Sequence, residues 1–343
     1  MDDTAVVRAD AARAEAWVAR WWADECGAGG RRLRTLLAPA EAAYRSAIWV
    51  RNLAYDAGVL RVTKLSVPVI SVGNLSIGGS GKTPVAAWIV DELIRRGHRP
   101  ALLHGGYAHD EPELHRRWHP EVLVIAQRDR IAAGRRAMAE GATVLVLDDG
   151  FQHRRLARNA DLVLIAAEAW TPRPLLLPRG PWRERLGAAR RATLLAVTRK
   201  VADVATARAV ADAVSKRTGG MTVVGLALVP DGWRRASGRT GEPSGTAIAV
   251  AGVAQPALFV ANARAVGAEV GELLAYPDHH AYTAEDGERI RRAARGRPIL
   301  TTEKDWVKLA GLLDGHQVWL LVQRVEVDWG EDALFATLDV LET

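Results

Sequence analysis

The sequence predicts an α/β protein: a parallel sheet with helices on both faces, followed by a second, smaller α/β unit. Three observations predict it. From Val67 onward, short apolar runs alternate with helix-length segments, the pattern of strands buried on both faces. A glycine-rich loop, Ser76–Thr83, lies between one such run and the helical segment after it. A stretch rich in Gly, Pro and Arg, Pro230–Gly245, separates two series of this alternation and marks a domain junction. At 343 residues there is room for two domains. They are read as a helical extension over 1–30, a larger domain over 31–225 and a smaller one over 226–343.

The elements follow in order. Ala5–Cys26 is Ala-rich, carries Trp17, Trp21 and Trp22, and reads as a helix ended by Gly27, Gly29 and Gly30. Arg31–Leu60 places Leu33, Leu36, Leu37, Ala40, Tyr44, Ala47 and Ile48 on one helical face, with Arg31, Arg32, Arg34, Arg45 and Arg51 along it and Pro39 breaking or restarting it. Such a helix either packs on the core or lies in a membrane interface. The larger domain then shows strands at Val67–Val72, Pro100–Leu103, Val122–Ala126, Thr143–Leu147, Leu162–Ile165 and Thr193–Val197, with helices at Thr83–Arg96 and Asp129–Glu140. Thr222–Leu228 is extended. The smaller domain alternates Ala247–Val253, a helix from Pro256, Glu269–Ala275, a helix from Ala284, Pro298–Thr302 and Gln317–Gln323.

Composition excludes several classes. With 49% apolar and 25% charged residues the chain is not disordered. A single cysteine, Cys26, excludes an intrachain disulfide and a Cys-rich zinc site. The net charge of +6 favours an anionic partner, whether phosphate, nucleic acid or membrane surface. No nucleic-acid motif is present, and Phe and Tyr are scarce for base stacking, so no nucleic-acid partner is expected. No secretory signal opens the chain. Pro243–Ala263 is uncharged, but Gln255, Pro256 and Asn262 make it a strand, turn and helix rather than a span.

The chemistry begins at Ser76, Ile77, Gly78, Gly79, Ser80, Gly81, Lys82 and Thr83. Glycines let successive N–H groups face one anion, and the helix N-terminus adds positive potential. Lys82 then meets β- and γ-phosphate oxygens, and the Thr83 hydroxyl ligates Mg²⁺. The first position of the pattern is Ser76 rather than Gly. The expectation is a P-loop NTPase-like sheet that binds ATP with Mg²⁺. Thr143–Leu147 ends in Asp148-Asp149-Gly150; one of the two acids, at the carboxyl end of a central strand, holds Mg²⁺. A guanine reader needs Asn/Thr-Lys-x-Asp after a late strand. Thr198-Arg199-Lys200-Val201 lacks that Asp, and Thr302-Glu303-Lys304-Asp305 fails the spacing. The irregular spacing of His104, His109, His115 and His119 argues against a histidine metal cluster.

These residues resemble a known family. Val72-Gly73-Asn74-Leu75 runs into Gly78-Gly79-Ser80-Gly81-Lys82-Thr83-Pro84, and Leu147 leads into Asp148-Asp149-Gly150-Phe151-Gln152-His153-Arg154. With Asp110-Glu111-Pro112, Leu177-Pro178, Gly180-Pro181, Arg183-Glu184, Pro277-Asp278-His279 and Thr301-Thr302-Glu303-Lys304-Asp305, the order resembles that of the tetraacyldisaccharide 4′-kinases from about Leu33 to the C-terminus. The resemblance implies an ATP- and Mg²⁺-dependent kinase of lipid A biosynthesis. Its acceptor is the 4′-hydroxyl of an acylated glucosamine disaccharide 1-phosphate. It implies a peripheral enzyme on the cytoplasmic face of the bacterial inner membrane, meeting an anionic membrane surface through the Arg31–Leu60 helix, with no obligate protein partner. It also implies that Asp110 and His279 promote attack by the hydroxyl, with Asp110 as base, and that Asn74, Gln152, His153 and Arg183 contact substrate.

The chain departs from the family pattern at His104-Gly105-Gly106-Tyr107, where a Ser-Arg-Gly-Tyr-like string is usual, and only Ala108 and His109 separate Tyr107 from Asp110. A more open cleft near Tyr107 is expected from the shortening. The alternatives are a family member of reduced activity or altered acceptor, or a P-loop ATPase or GTPase regulating a protein partner.

Overall fold

A computed structural model describes residues 17–18, 20–22, 24–106, 110–278 and 280–339. The chain divides into two compact units. One comprises Arg31–Leu228 together with the chain from Val325 onward; the other comprises Val229–Arg324 together with the chain up to Gly30.

In the larger unit, seven strands lie in the order β3-β2-β4-β1-β5-β6-β7. They are β1 (Val69–Asn74), β2 (Pro100–His104), β3 (Leu123–Ala126), β4 (Val144–Asp148), β5 (Ala160–Ala166), β6 (Leu194–Arg199) and β7 (Val223–Arg235). Every neighbouring pair in this series is parallel. β1, β2 and β4 are buried at every residue, as expected of continuous apolar runs covered on both faces. β1 lies between β4 and β5, so the loop after β1 opens where the strand order reverses, the place where α/β sheets bind ligands.

The helices have local causes. Residues 20–22 are helical and 24–26 form a turn, but the glycines read as a stop open the next helix: α1 spans Gly27–Leu36 and includes them. Gly30 leaves room for Cys26 and Trp21, and the Trp21 indole donates to the Gly30 carbonyl at 2.8 Å. The rest of the Ala5–Cys26 expectation lies largely outside the described residues. α2 (Ala38–Asp56) restarts at Pro39, which suits a first turn. α3 (Lys82–Arg95) follows the glycine-rich loop, and α4 (Asp110–Trp118) carries acids in its first turn and His115, Arg116 and Arg117 in its last, matching the helix dipole. α5 (Arg130–Ala139) and α6 (Val204–Thr218) are capped by the Asp129 and Asp203 carboxylates.

β7 does not stop at Leu228 but continues through Pro230 to Arg235, so part of the expected junction is strand. In the smaller unit, β8 (Ala247–Ala251), β9 (Val270–Ala275), β10 (Ile299–Thr302) and β11 (Val318–Trp329) lie in the order β11-β10-β8-β9, with parallel pairing. The helices α7 (Pro256–Ala265), α8 (Ala284–Ala294) and α9 (Glu303–Leu309) alternate with them. Pro243–Ala263 therefore contributes a buried strand and a helix, and no described helix is long and apolar enough to cross a membrane. The final helix, α10 (Glu331–Asp339), belongs to the larger unit. Its Leu334 and Leu338 join the core formed by Val85, Ile89, Val90 and Leu93 of α3.

Candidate active site

The loop Ser76–Thr83 leaves the carboxyl end of β1 and enters α3. Gly78 and Gly81 have φ of +116° and +82°, backbone that glycine adopts without steric cost. The loop is fixed from several sides. The Asn74 amide donates to Ser80 Oγ at 2.8 Å, the Thr198 hydroxyl donates to the Ser80 carbonyl at 2.9 Å, and Lys200 Nζ donates to the Gly79 carbonyl at 2.8 Å. Ile77 N–H donates to the Pro181 carbonyl at 2.7 Å. Thus Asn74, expected at substrate, is buried beneath the loop and shapes it. Thr198 and Lys200 occupy the late-strand position examined for a guanine reader; they brace the phosphate loop instead.

β4 pairs with β1 so that Asp148 lies beside Val72. The turn after it is pressed onto β1. A Cβ on Gly73 would come within 2.4 Å of the Phe151 Cβ and 2.8 Å of its backbone N, so only glycine admits the turn. Asp149 takes a left-handed φ of +60°, and the two adjacent acids face different surroundings. Asp149 meets cations: Arg183 Nη1 lies 3.0 Å from each carboxylate oxygen, and Lys82 Nζ lies 3.7 Å from Oδ1. Arg183 also donates to Gln152 Oε1 at 3.3 Å, and the Gln152 amide donates to the Asn74 carbonyl at 2.8 Å. Asp148 is fully buried, with its Oδ2 3.0 Å from His115 Nε2. Burial works to raise its pKa, but the hydrogen bond and charge of His115, aided by His104 and Lys82, outweigh it and hold the carboxyl below the usual range. Its Oδ1 has no hydrogen-bond partner.

A buried carboxylate oxygen without a partner is costly and is suited to a cation. The residues therefore fit Mg²⁺, with Asp148 the better donor; Asp149 is already neutralised by Arg183 and Lys82. Thr83, at the start of α3, is half-buried.

Asp110 is buried at the first position of α4. That helix follows β2, which neighbours β4, so Asp110 is carried on the segment between β2 and β3 in the unit that holds the loop. His279 lies outside the described residues, as do Tyr107, Ala108 and His109, on which the expected cleft opening falls. The remaining histidines are sorted by partner: His104 Nε2 lies 2.9 Å from Glu111 Oε2, and His119 Nε2 lies 2.9 Å from Asp91 Oδ1. His153 is set apart from the phosphate loop's contacts. Burial, with the charges of Arg130, Arg155 and Arg158, drives its pKa down to about 4.

Sheet order, glycine loop and buried acid together define a P-loop nucleotide-binding enzyme. A profile of the LpxK family, tetraacyldisaccharide-1-P 4′-kinase, matches residues 33–113 and 108–342. The tetraacyldisaccharide 4′-kinase of Anaeromyxobacter dehalogenans is 37% identical over 93% of each chain, and that of Geobacter metallireducens is 35% identical over 82% of this chain and 90% of its own. The structure of LpxK from Aquifex aeolicus in complex with ATP superposes with a TM-score of 0.72 at 28% identity, covering 90% of this chain and 99% of that one. The chain belongs to the tetraacyldisaccharide-1-P 4′-kinase family. It is an ATP-dependent kinase of lipid A biosynthesis that phosphorylates the 4′-hydroxyl of a disaccharide phosphate, and nothing in these similarities favours a regulatory ATPase or GTPase.

Proposed function

We propose that the chain transfers the γ-phosphoryl group of Mg²⁺-ATP to a tetraacylated disaccharide 1-phosphate at the cytoplasmic face of the inner membrane. Asp110 acts as base and His279 orients it. The observation that carries this reading is the gathering of the phosphate loop, Asp148 and Asp110 on β1, β4 and the segment after β2, three adjacent strands of one sheet. Loop N–H groups and Lys82 grip the phosphates. Arg183 retains Asp149, leaving Lys82 to the β- and γ-oxygens. Thr83 and Asp148 would hold Mg²⁺, which neutralises charge on the transferring group. Asp110 takes the hydroxyl proton as the sugar oxygen bonds to the γ-phosphorus and the bond to the β-phosphate oxygen breaks, releasing ADP.

Docking is assigned to α2. None of its residues is buried, and Trp49, Val50 and Leu53 are 63%, 55% and 50% exposed. Leu36, Val59, Leu60 and Val62 extend the exposed apolar surface at its two ends, and Arg31, Arg32 and Arg45 accompany it. This combination suits an anionic interface. The opposite side of α2 is tied down by polar contacts: Tyr44 Oη to the Arg183 carbonyl at 3.0 Å, the Asn52 amide to Glu184 Oε2 at 2.8 Å, and Arg179 to Glu41 at 2.7 Å.

The test is phosphorylation of a detergent-dispersed tetraacyldisaccharide 1-phosphate. Asp110→Ala is expected to lower kcat by about 10²–10⁴-fold while leaving ATP affinity, read by calorimetry, within a few-fold. Wild-type turnover by that variant would remove Asp110 from the base role.

A further inference from the structure

The smaller unit carries two of the sequence motifs, Pro277-Asp278-His279 and Thr301-Thr302-Glu303-Lys304-Asp305. Asp305 joins them. It lies in the first turn of α9 and is 0% exposed. Its Oδ2 accepts from the Gly252 N–H at 3.0 Å and from the Thr302 hydroxyl at 2.8 Å, and its own N–H donates to Thr302 Oγ1 at 3.0 Å. One carboxylate thus fastens the head of α9 to the residue that follows β8. The connection from β9 to α8 rests on that same residue. A Cβ on Gly252 would lie 2.8 Å from Tyr282 Oη, 2.9 Å from Asp305 Oδ1 and 3.2 Å from the Pro277 carbonyl oxygen. Burial first, and then the charge of Asp305, push the Tyr282 phenol's pKa up, so it stays a neutral hydroxyl beside the acid.

The connection is also held on both sides of position 279. Asp278 Oδ1 accepts from Lys304 Nζ at 3.1 Å, and His280 Nε2 lies 2.9 Å from Asp286 Oδ2, in the capping box of α8. The Tyr276 N–H donates to the Ala251 carbonyl at 2.8 Å. The rings of Tyr276, His280 and Tyr282 pack together, with centroids 4.8 Å and 4.9 Å apart. Fixing a connection that has no strand or helix of its own costs conformational entropy, and here buried polar groups and rings meet that cost before substrate arrives.

We propose that Asp305 is a positioning residue for phosphoryl transfer: with Lys304, from the head of α9, it sets the connection that carries His279. The inference rests on His279 assisting Asp110. Because Asp305 is wholly buried, its effect on turnover passes through the groups it holds.

The test is a double-mutant cycle in the full-length protein, assayed with Mg²⁺-ATP and detergent-dispersed tetraacyldisaccharide 1-phosphate. Asp305→Ala is expected to lower kcat about ten-fold or more, with ATP affinity, read by calorimetry, changed less than about two-fold. Asp305→Asn, which keeps an oxygen for Gly252 and Thr302, should restore part of the rate. In a His279→Ala background, Asp305→Ala should cost less than about two-fold, because the group it positions is gone. Hydrogen exchange should rise over residues 276–283 and stay unchanged in β11. If Asp305→Ala does not fold, Gly252→Ala takes its place in the cycle, since its methyl group must displace Asp305 or the connection. Full additivity of the two substitutions, or an unchanged kcat in Asp305→Ala, overturns the positioning role and leaves the His279 reading intact. Wild-type turnover by His279→Ala overturns that reading and the inference with it.

Discussion

Asp148 and Asp149 are neighbours in sequence with opposite surroundings, one buried against His115 and the other facing Arg183 and Lys82. Spacing from the phosphate loop marked both as candidates and could not separate them, because their partners come from distant elements. His153 illustrates the converse. Its place in the Asp-Asp-Gly-Phe-Gln-His string pointed toward substrate, whereas burial and three arginines hold it neutral, with a pKa of about 4. Between pH 6.5 and about 4 the unfolded chain binds a proton that the folded chain refuses. This contribution to stability is complete above pH 6.5 and is lost as pH falls through that window. His153→Gln is therefore expected to lose less stability than the wild type between pH 7 and pH 5, as read by urea denaturation at both values. An equal loss in both proteins would show that burial and the arginine cluster do not hold this ring neutral.

At the scale of elements, α2 was open to two readings because a single apolar face suits a core as well as a membrane interface. The structure leaves Trp49, Val50 and Leu53 exposed and anchors Tyr44 and Asn52. Replacing Trp49 and Leu53 together by Glu is expected to weaken binding to anionic vesicles by at least ten-fold, since it removes two apolar anchors and adds two repelled charges. Thermal stability should hardly change, because neither side chain is buried. Sedimentation with phosphatidylglycerol vesicles reads the first effect and a melting curve the second; unaltered vesicle binding would rule out α2 as the docking element. α4 was not legible as a helix: Asp110 before Pro112 resembles a turn acid, and the nine-residue segment has too few apolar positions to show a period. β7 was also underestimated, since Pro230 and Gly232 lie within it and read as breakers.

At the scale of the whole molecule, the chain leaves the larger unit at Val229 and returns to it at Val325. The returning helix α10 places Leu334 and Leu338 against α3, the helix that begins at the phosphate loop. Phe335 stacks on Trp88 with ring centroids 6.2 Å apart, and Arg96 pairs with Asp339 and covers the Phe335 ring. Leu334→Ala is expected to destabilise the nucleotide-binding unit by about 2–5 kcal/mol, although it lies far along the chain from the loop. Urea unfolding followed by loss of nucleotide binding measures this. A shift below about 0.5 kcal/mol would mean that α10 is dispensable to that core.

The sequence by itself determined the α/β class, the phosphate loop and the presence of an acid at the end of β4, because these depend on local periodicity and on residues close along the chain. Only the tertiary structure decided that Asp148 is buried against His115 while Asp149 meets Arg183 and Lys82, and that the last helix returns to the first core. Each of those facts is a contact between residues far apart along the chain, which no local pattern encodes.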